Sequence, residues 1–234
     1  MQPGGMMFET LSDADAVARC GANWLSGTLD RIATTQGACV LAVSGGRSPW
    51  PMFRRLAMVS DMPWDRIHIV QVDERQAPDG DEERNWTRAQ EVFAPVVPVD
   101  NLHPMPVMAG DMADAAAGYA RDLDRISHGR GVDVAHLGLG PDGHTASLFP
   151  DDPILDIADR DVAWTTHAHN GLRRMSLTFR VLAGAAHVLW QICGADKQPM
   201  LAKLLAGDTS IPAGRVRRDR AIVYADAAAA ADLD

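Results

Sequence analysis

Asp142 and His144 stand two residues apart in the run Val-Ala-His-Leu-Gly-Leu-Gly-Pro-Asp-Gly-His-Thr-Ala-Ser-Leu-Phe-Pro, residues 134–150. An apolar strand there feeds a glycine-rich turn, then an acid, an imidazole and hydroxyl side chains. An imidazole near its ordinary pKa can take a proton from water as the water attacks a carbonyl. Backbone amides of the turn can receive the oxyanion that forms. Gly138, Gly140 and Gly143 let the chain turn tightly and approach a ligand closely, and Asp142 shapes the turn. The bland alternative is a strand-to-helix turn in which His144 only caps or packs; it suits a lone Gly-His pair better than the whole string. The other histidines (68, 103, 128, 136, 167, 169 and 187) lie in predicted strands or loops without such a setting, and most read as structural.

Three further stretches carry chemistry that complements an imidazole. Ser44-Gly45-Gly46-Arg47-Ser48-Pro49 joins an apolar run to a helix start, where free N–H groups and the helix dipole favour an anion. It lacks the Gly-Lys-Ser/Thr ending of a Walker loop. Asp73-Glu74-Arg75 ends another apolar run, as either a solvated terminus or a site wall. Arg75 offers a fork of donors for a phosphate or for a developing oxyanion, and sequence leaves both open. Glu74 reads as a supporting residue. Lys197, in Gly194-Ala-Asp-Lys, opens a predicted helix, where its charge opposes the dipole unless an anion binds nearby. The alternative is a first-turn lysine paired with Asp196.

The elements that must hold these residues alternate. Asp13–Thr34 has helical spacing of apolar residues, with Ser12 or Asp13 as cap. Ala38–Val43 and Arg66–Val72 read as buried strands, a short helix follows from about Asn85 to Phe93, and Asp111–Ser127 is helical. Val132–Gly138 is the strand feeding the His144 turn. Val162–Ala168 and Arg174–Phe179 flank Asn170-Gly171 as a hairpin. His187–Cys193 is a strand, about Ala195–Leu205 a helix, and Ala221–Tyr224 a last strand. This pattern predicts an α/β fold: a mostly parallel, Rossmann-like sheet with helices on both faces and a smaller β-containing C-terminal portion. One domain over residues 1–234 is the economical reading.

Bulk composition narrows the function. The 234 residues are 47% hydrophobic and 23% charged, as in an ordinary globular protein. No apolar run approaches the length of a membrane span, and Met1–Ser12 has neither the basic nor the apolar region of a secretory signal. Three scattered cysteines suggest reduced thiols in the cytoplasm. The formal net charge of −9 argues against nucleic acid but not against a small phosphorylated ligand. Gly138-x-Gly140-x-x-Gly143 matches a dinucleotide fingerprint in form, yet Pro141 and Pro150 spoil the helix it needs. No Gly-x-Ser-x-Gly elbow supports a serine esterase. No histidine pair has metal-ligand spacing, so neither metal nor cofactor is expected.

Gly-Leu-Gly-Pro-Asp-Gly-His-Thr-Ala-Ser-Leu-Phe-Pro, residues 138–150, resembles the signature of the 6-phosphogluconolactonases. Those enzymes share a fold with the glucosamine-6-phosphate deaminases, in which an Ile-Ala-Phe-Asn-Glu-Pro-like stretch follows the histidine. Ser44–Ser48 resembles the family's Ser-Gly-Gly-Ser-Thr-Pro-like loop, with Arg47 in place of a small hydroxyl residue. Asp73-Glu74-Arg75, Asn85, Arg174 and Lys197 also match family positions, although Arg173 beside Arg174 makes that assignment ambiguous. The resemblance, from about residue 40 to 226, implies hydrolysis of 6-phospho-D-glucono-1,5-lactone in the oxidative pentose phosphate pathway. It implies His144 as general base with Asp142, Asp73 and Arg75 in the catalytic group. Asp73 would orient the arginine, the histidine or a sugar hydroxyl. Substrate would meet Ser44, Gly45, Gly46, Arg47, Ser48, Arg75, Gly140, Gly143, Arg174 and Lys197. The expected partner is a phosphorylated sugar lactone alone, with the protein a monomer or homodimer. A deaminase/isomerase-like enzyme and a non-catalytic sugar-phosphate sensor are the competing readings.

Overall fold

The computed structural model describes residues 5–233. Met1–Gly4, part of the stretch read above as no secretory signal, and Asp234 lie outside the described residues. In chain order the elements are β1 (Met7–Leu11), α1 (Ala14–Gln36), β2 (Cys39–Val43), α2 (Trp50–Ala57), β3 (Ile67–Gln71), β4 (Asp73–Arg75), α3 (Asn85–Phe93), β5 (Leu102–His103), α4 (Met112–Ser127), β6 (Val134–Leu137), β7 (Val162–Trp164), β8 (Arg174–Leu177), α5 (Phe179–Gly184), β9 (His187–Ile192), α6 (Gln198–Ala206) and β10 (Ala221–Asp226).

Alternation along the strands explains the layering. In β2, Cys39, Leu41 and Val43 join one apolar cluster with residues of α1, α2 and α3. Val40 and Ala42 face the other way, into a cluster with α4, α5 and α6. A sheet covered on both faces needs apolar residues at both parities, which is why β2 reads as an unbroken apolar run. Asp13 caps α1 by accepting from Ala16 N at 2.8 Å, and Gly37 ends it at φ 82°. No helix among the described residues is long and apolar enough to cross a membrane.

Seven strands form one parallel sheet in the order β1-β10-β9-β6-β2-β3-β5. From β2 the chain builds outward through β3 and β5, then returns to the other side of β2 as β6 and continues through β9. The reversal puts a crevice at the carboxyl ends of β2 and β6, where open α/β sheets take their ligands. A separate antiparallel sheet, β4-β8-β7, stands beside it. It is the smaller β portion expected, but it recruits β4 from the Asp-Glu-Arg motif far earlier in the chain.

Several expected boundaries move. The strand expected over Val162–Ala168 ends at Trp164, because Thr166 and His167 turn their amides to the buried carboxylate of Asp152 (both 3.1 Å). The strand expected to reach Phe179 ends at Leu177, and Phe179 opens α5. The expected helix from Ala195 begins with a 3-10 turn before α6. Asn170 (φ 55°) and Gly171 (φ 80°) form the expected tight turn. β1 and β5, which carry little sequence signal, are sheet edges; β1 is exposed at four of its five residues.

Candidate active site

The loop after β2 is fastened from beneath by β6 and β9. Ser44 Oγ donates to the carbonyl of His136 at 2.7 Å, and Ser44 N approaches His136 Nδ1 at 3.4 Å. His136 Nε2 lies 3.2 Å from Gln191 Oε1, and Gln191 Nε2 donates to Ser48 O at 3.0 Å. Burial drives the His136 imidazole down to about 4, so at neutral pH it is uncharged. With Nδ1 accepting, Nε2 carries the proton toward Gln191. Gly45 must be glycine, because a Cβ would overlap the Asn85 side chain. Gly46 turns at φ 95°, and Gly46, Arg47 and Ser48 are exposed at the mouth of the cleft. His136 was grouped with structural histidines; it lines the cleft, though its contacts hold the loop. The sequence signal for it was a polar residue inside a wholly apolar strand, which needs a partner when buried.

The Asp-Glu-Arg strand supplies the opposite wall. Glu74 is fully buried and accepts from Gln71 Nε2 (2.7 Å), Arg75 N (2.8 Å), Asn85 N (2.8 Å) and Trp86 N (2.7 Å). It therefore anchors the start of α3, the supporting role expected of it. Burial pushes its carboxyl up despite these bonds. Asp73, expected to orient an arginine, His144 or a sugar hydroxyl, lines the cleft, and its Oδ2 accepts from Ser147 Oγ at 2.5 Å, tying this strand to the His144 loop. Ser147 belongs to the motif's hydroxyl residues, but its partner was not visible in the sequence, since the contact spans 74 positions.

Arg75 and Arg174 are direct partners in the β4–β8 register, and both line the cleft. Like charges facing across a strand pair repel, and the Glu83 carboxylate, 3.4 Å from Arg75 Nη1, offsets part of that repulsion. Arg75 Nη1 donates to Glu83 O at 2.7 Å, and Arg174 Nη2 to His169 O at 3.3 Å. The Nε atoms of both arginines are buried without a partner. Arg174 is the member of the 173–174 pair that enters the cleft; Arg173 turns away to Thr165 O.

The turn after β6 delivers the imidazole. Gly140 N donates to His144 O at 2.8 Å, and a Cβ on Gly140 would overlap the His144 ring. Asp142 Oδ1 accepts from His144 N at 3.1 Å and meets His144 Nδ1 at 2.5 Å. Partial burial would raise the Asp142 carboxyl, but the bonds and charge of His144 outweigh it and hold it down at about 2. Nδ1 is thus the donor, and Nε2 is left as the basic nitrogen on a ring that lines the cleft. Gly143 was expected to meet substrate. It lies behind the turn instead: its carbonyl accepts from Ala213 N at 3.0 Å, and a Cβ would strike Ile211.

Lys197 lines the same cleft, paired with Asp196 at 3.1 Å. The bland alternative for it, an ion pair with Asp196, is therefore present alongside the cleft position. These walls enclose about 300 Å³, with four cationic side chains (Arg47, Arg75, Arg174, Lys197) against two acids, Asp73 and Asp196. Of the residues expected to form the site, all but Asp142 and Gly143 line it, and Asp142 is bonded to one that does.

Comparison with known proteins points the same way. The family model described as "Glucosamine-6-phosphate isomerases/6-phosphogluconolactonase" matches residues 12–224. A protein named 6-phosphogluconolactonase from a Nostoc species is 30% identical over 236 residues, covering 96% of this chain and 97% of its own. Another of that name from a Synechocystis species is 34% identical over 178 residues, covering 73% of each chain. The crystal structure of 6-phosphogluconolactonase from Thermotoga maritima is similar with a TM-score of 0.83 at 29% identity, covering 94% of this chain and 98% of that one.

Proposed function

The chain belongs to the family of glucosamine-6-phosphate isomerases and 6-phosphogluconolactonases, and from that footing we propose that it hydrolyses 6-phospho-D-glucono-1,5-lactone to 6-phosphogluconate. The observation that carries the reading is the pairing of a carboxylate-oriented imidazole with two facing arginines in one cleft. An anion between Arg75 and Arg174 offsets their repulsion and gives their forked donors an acceptor. Lys197, Arg47 and the amides of the Ser44–Ser48 loop add to the same anion site.

His144 acts as general base. Nε2 takes a proton from water as the water oxygen bonds to the lactone carbonyl carbon. Asp142 stabilises the imidazolium that results. Collapse of the tetrahedral intermediate breaks the bond from that carbon to the ring oxygen, which receives the proton from Nε2. One water is consumed, and neither redox change nor cofactor enters the balance. We place the enzyme in the cytoplasm, as one α/β domain acting as a monomer or homodimer.

The test is the rate of opening of freshly generated lactone with and without enzyme, with the spontaneous rate subtracted. Deamination of glucosamine 6-phosphate runs in parallel. Enzyme-dependent opening without deamination supports the reading. Deamination without lactone opening moves the chain to the other branch of its family, and neither activity leaves a sugar-phosphate sensor.

A further inference from the structure

We propose that Phe149 is a positioning residue for His144, and that His169 and Asp152 hold it in place. The inference rests on the reading of His144 as the base and extends it outward from the cleft. Asp142 restrains the imidazole through Nδ1 alone, a single point about which the ring can still tilt. Phe149 supplies a second restraint: its ring centre lies 4.4 Å from that of His144, with 38° between planes.

Phe149 is itself fixed. It is 8% exposed and stacked on His169 at 3.7 Å with 12° between the rings. His169 Nε2 meets Asp152 Oδ2 at 3.1 Å, and its main chain is bound in the hairpin turn through Leu172 (2.9 Å). The carboxylate of Asp152 is buried and also accepts from Ile154 N at 3.0 Å and from Thr166 and His167 N. Asp152, His169, Phe149, His144 and Asp142 therefore form one connected series, in which a phenyl ring joins two imidazoles that are each held by a carboxylate. The series spans from the turn after β6 to the tip of the β7–β8 hairpin, whose Arg174 enters the cleft.

Ordinary core packing asks only for apolar volume, which leucine supplies nearly as well as phenylalanine. A flat ring held by stacking on His169 and packed at a tilt against His144 fixes the plane and distance of that contact, which leucine cannot. The two roles are therefore separable.

The test is steady-state kinetics and thermal unfolding of wild type, Phe149→Leu, Phe149→Tyr, His169→Gln and His144→Ala. For Phe149→Leu we expect kcat to fall about tenfold or more with KM changed less than about threefold, because displacement of a reacting group by about 1 Å costs up to about 100-fold. Phe149→Tyr should restore most of that loss, and His169→Gln, at a residue outside the cleft lining whose main-chain bond to Arg174 the substitution keeps, should lose several-fold in kcat. Wild-type kcat in both Phe149→Leu and His169→Gln, while His144→Ala is inactive, overturns the positioning role. Equal losses in the Leu and Tyr variants, in KM as much as in kcat, also overturn it, since they mark a role in shape alone. Should Phe149→Leu unfold, His169→Gln decides the matter. Full activity in His144→Ala instead removes the base reading itself, whatever the Phe149 variants do.

Discussion

At the scale of single residues, the proposed mechanism rests on orientation more than on unusual groups. Asp142 sits two positions before His144, close enough to accept from both its amide and its ring. That short spacing made the pair readable as a unit in the sequence. Asp142→Asn keeps the size but loses the charge that, in the proposed mechanism, stabilises the imidazolium and fixes the proton on Nδ1. We expect kcat to fall by about 100-fold or more with little change in KM. A kcat within a fewfold of wild type would mean that the carboxylate only shapes the turn. The contacts of Ser147 and Gln191 escaped the sequence reading for a different reason. Their partners, Asp73 and His136, lie 74 and 55 positions away, and only the strand order brings them together.

At the scale of elements, strand ends account for nearly everything that was legible. Glycines, prolines and charges after apolar runs mark where β2, β6 and β9 stop, and those stops converge at the crevice. β4 was not legible as a separate strand, because Asp73–Arg75 continues directly from the apolar run of β3. Its departure from the main sheet is set by Glu74, whose buried carboxylate gathers four donors, two of them the first amides of α3. The departure has a cost, since it places Arg75 opposite Arg174. Arg174→Met removes that repulsion while keeping an unbranched apolar stem. The free protein should lose no more than about 1 kcal/mol, the size of a cross-strand pair, despite the burial of this residue. Its KM for the lactone should rise at least tenfold, and the stabilisation that inorganic phosphate gives the wild type should disappear. Denaturant unfolding with and without phosphate checks this. A large loss of stability with KM intact would place Arg174 in the packing, not in the anion site.

At the scale of the whole molecule, both faces of the parallel sheet are covered, and one buried and one half-buried histidine stand within that architecture as neutral groups. His136 lies under the Ser44 loop, and burial lowers it to about 4. His103, on the edge strand β5, is lowered to about 4 first by burial and then by the neighbouring His68, 3.0 Å from it. An unfolded chain binds these protons near 6.5, so between about 6.5 and 4 it holds more protons than the folded one. Stability therefore rises with pH across that window and is lost as pH falls through it. Asp142 extends the trend: its carboxylate, held at about 2, contributes stability above its ordinary value near 3.8 that is lost on further acidification. The urea midpoint should fall steadily from pH 7 to pH 4.5, and His103→Asn should flatten the slope. A midpoint independent of pH would show that neither imidazole is neutral in the fold. The parallel sheet and its two helical layers followed from alternation of element types in the sequence. The edge strands β1 and β5 did not, because exposed or two-residue strands carry no apolar pattern.

The measurement that bears most directly on the account is the enzyme-dependent opening of 6-phospho-D-glucono-1,5-lactone by wild type and His144→Ala, each above the spontaneous rate. General-base catalysis by a positioned histidine contributes about 10²–10⁴-fold, so the variant should lose at least two orders of magnitude in kcat while still binding phosphate. A His144→Ala protein that opens the lactone at the wild-type rate would contradict the account.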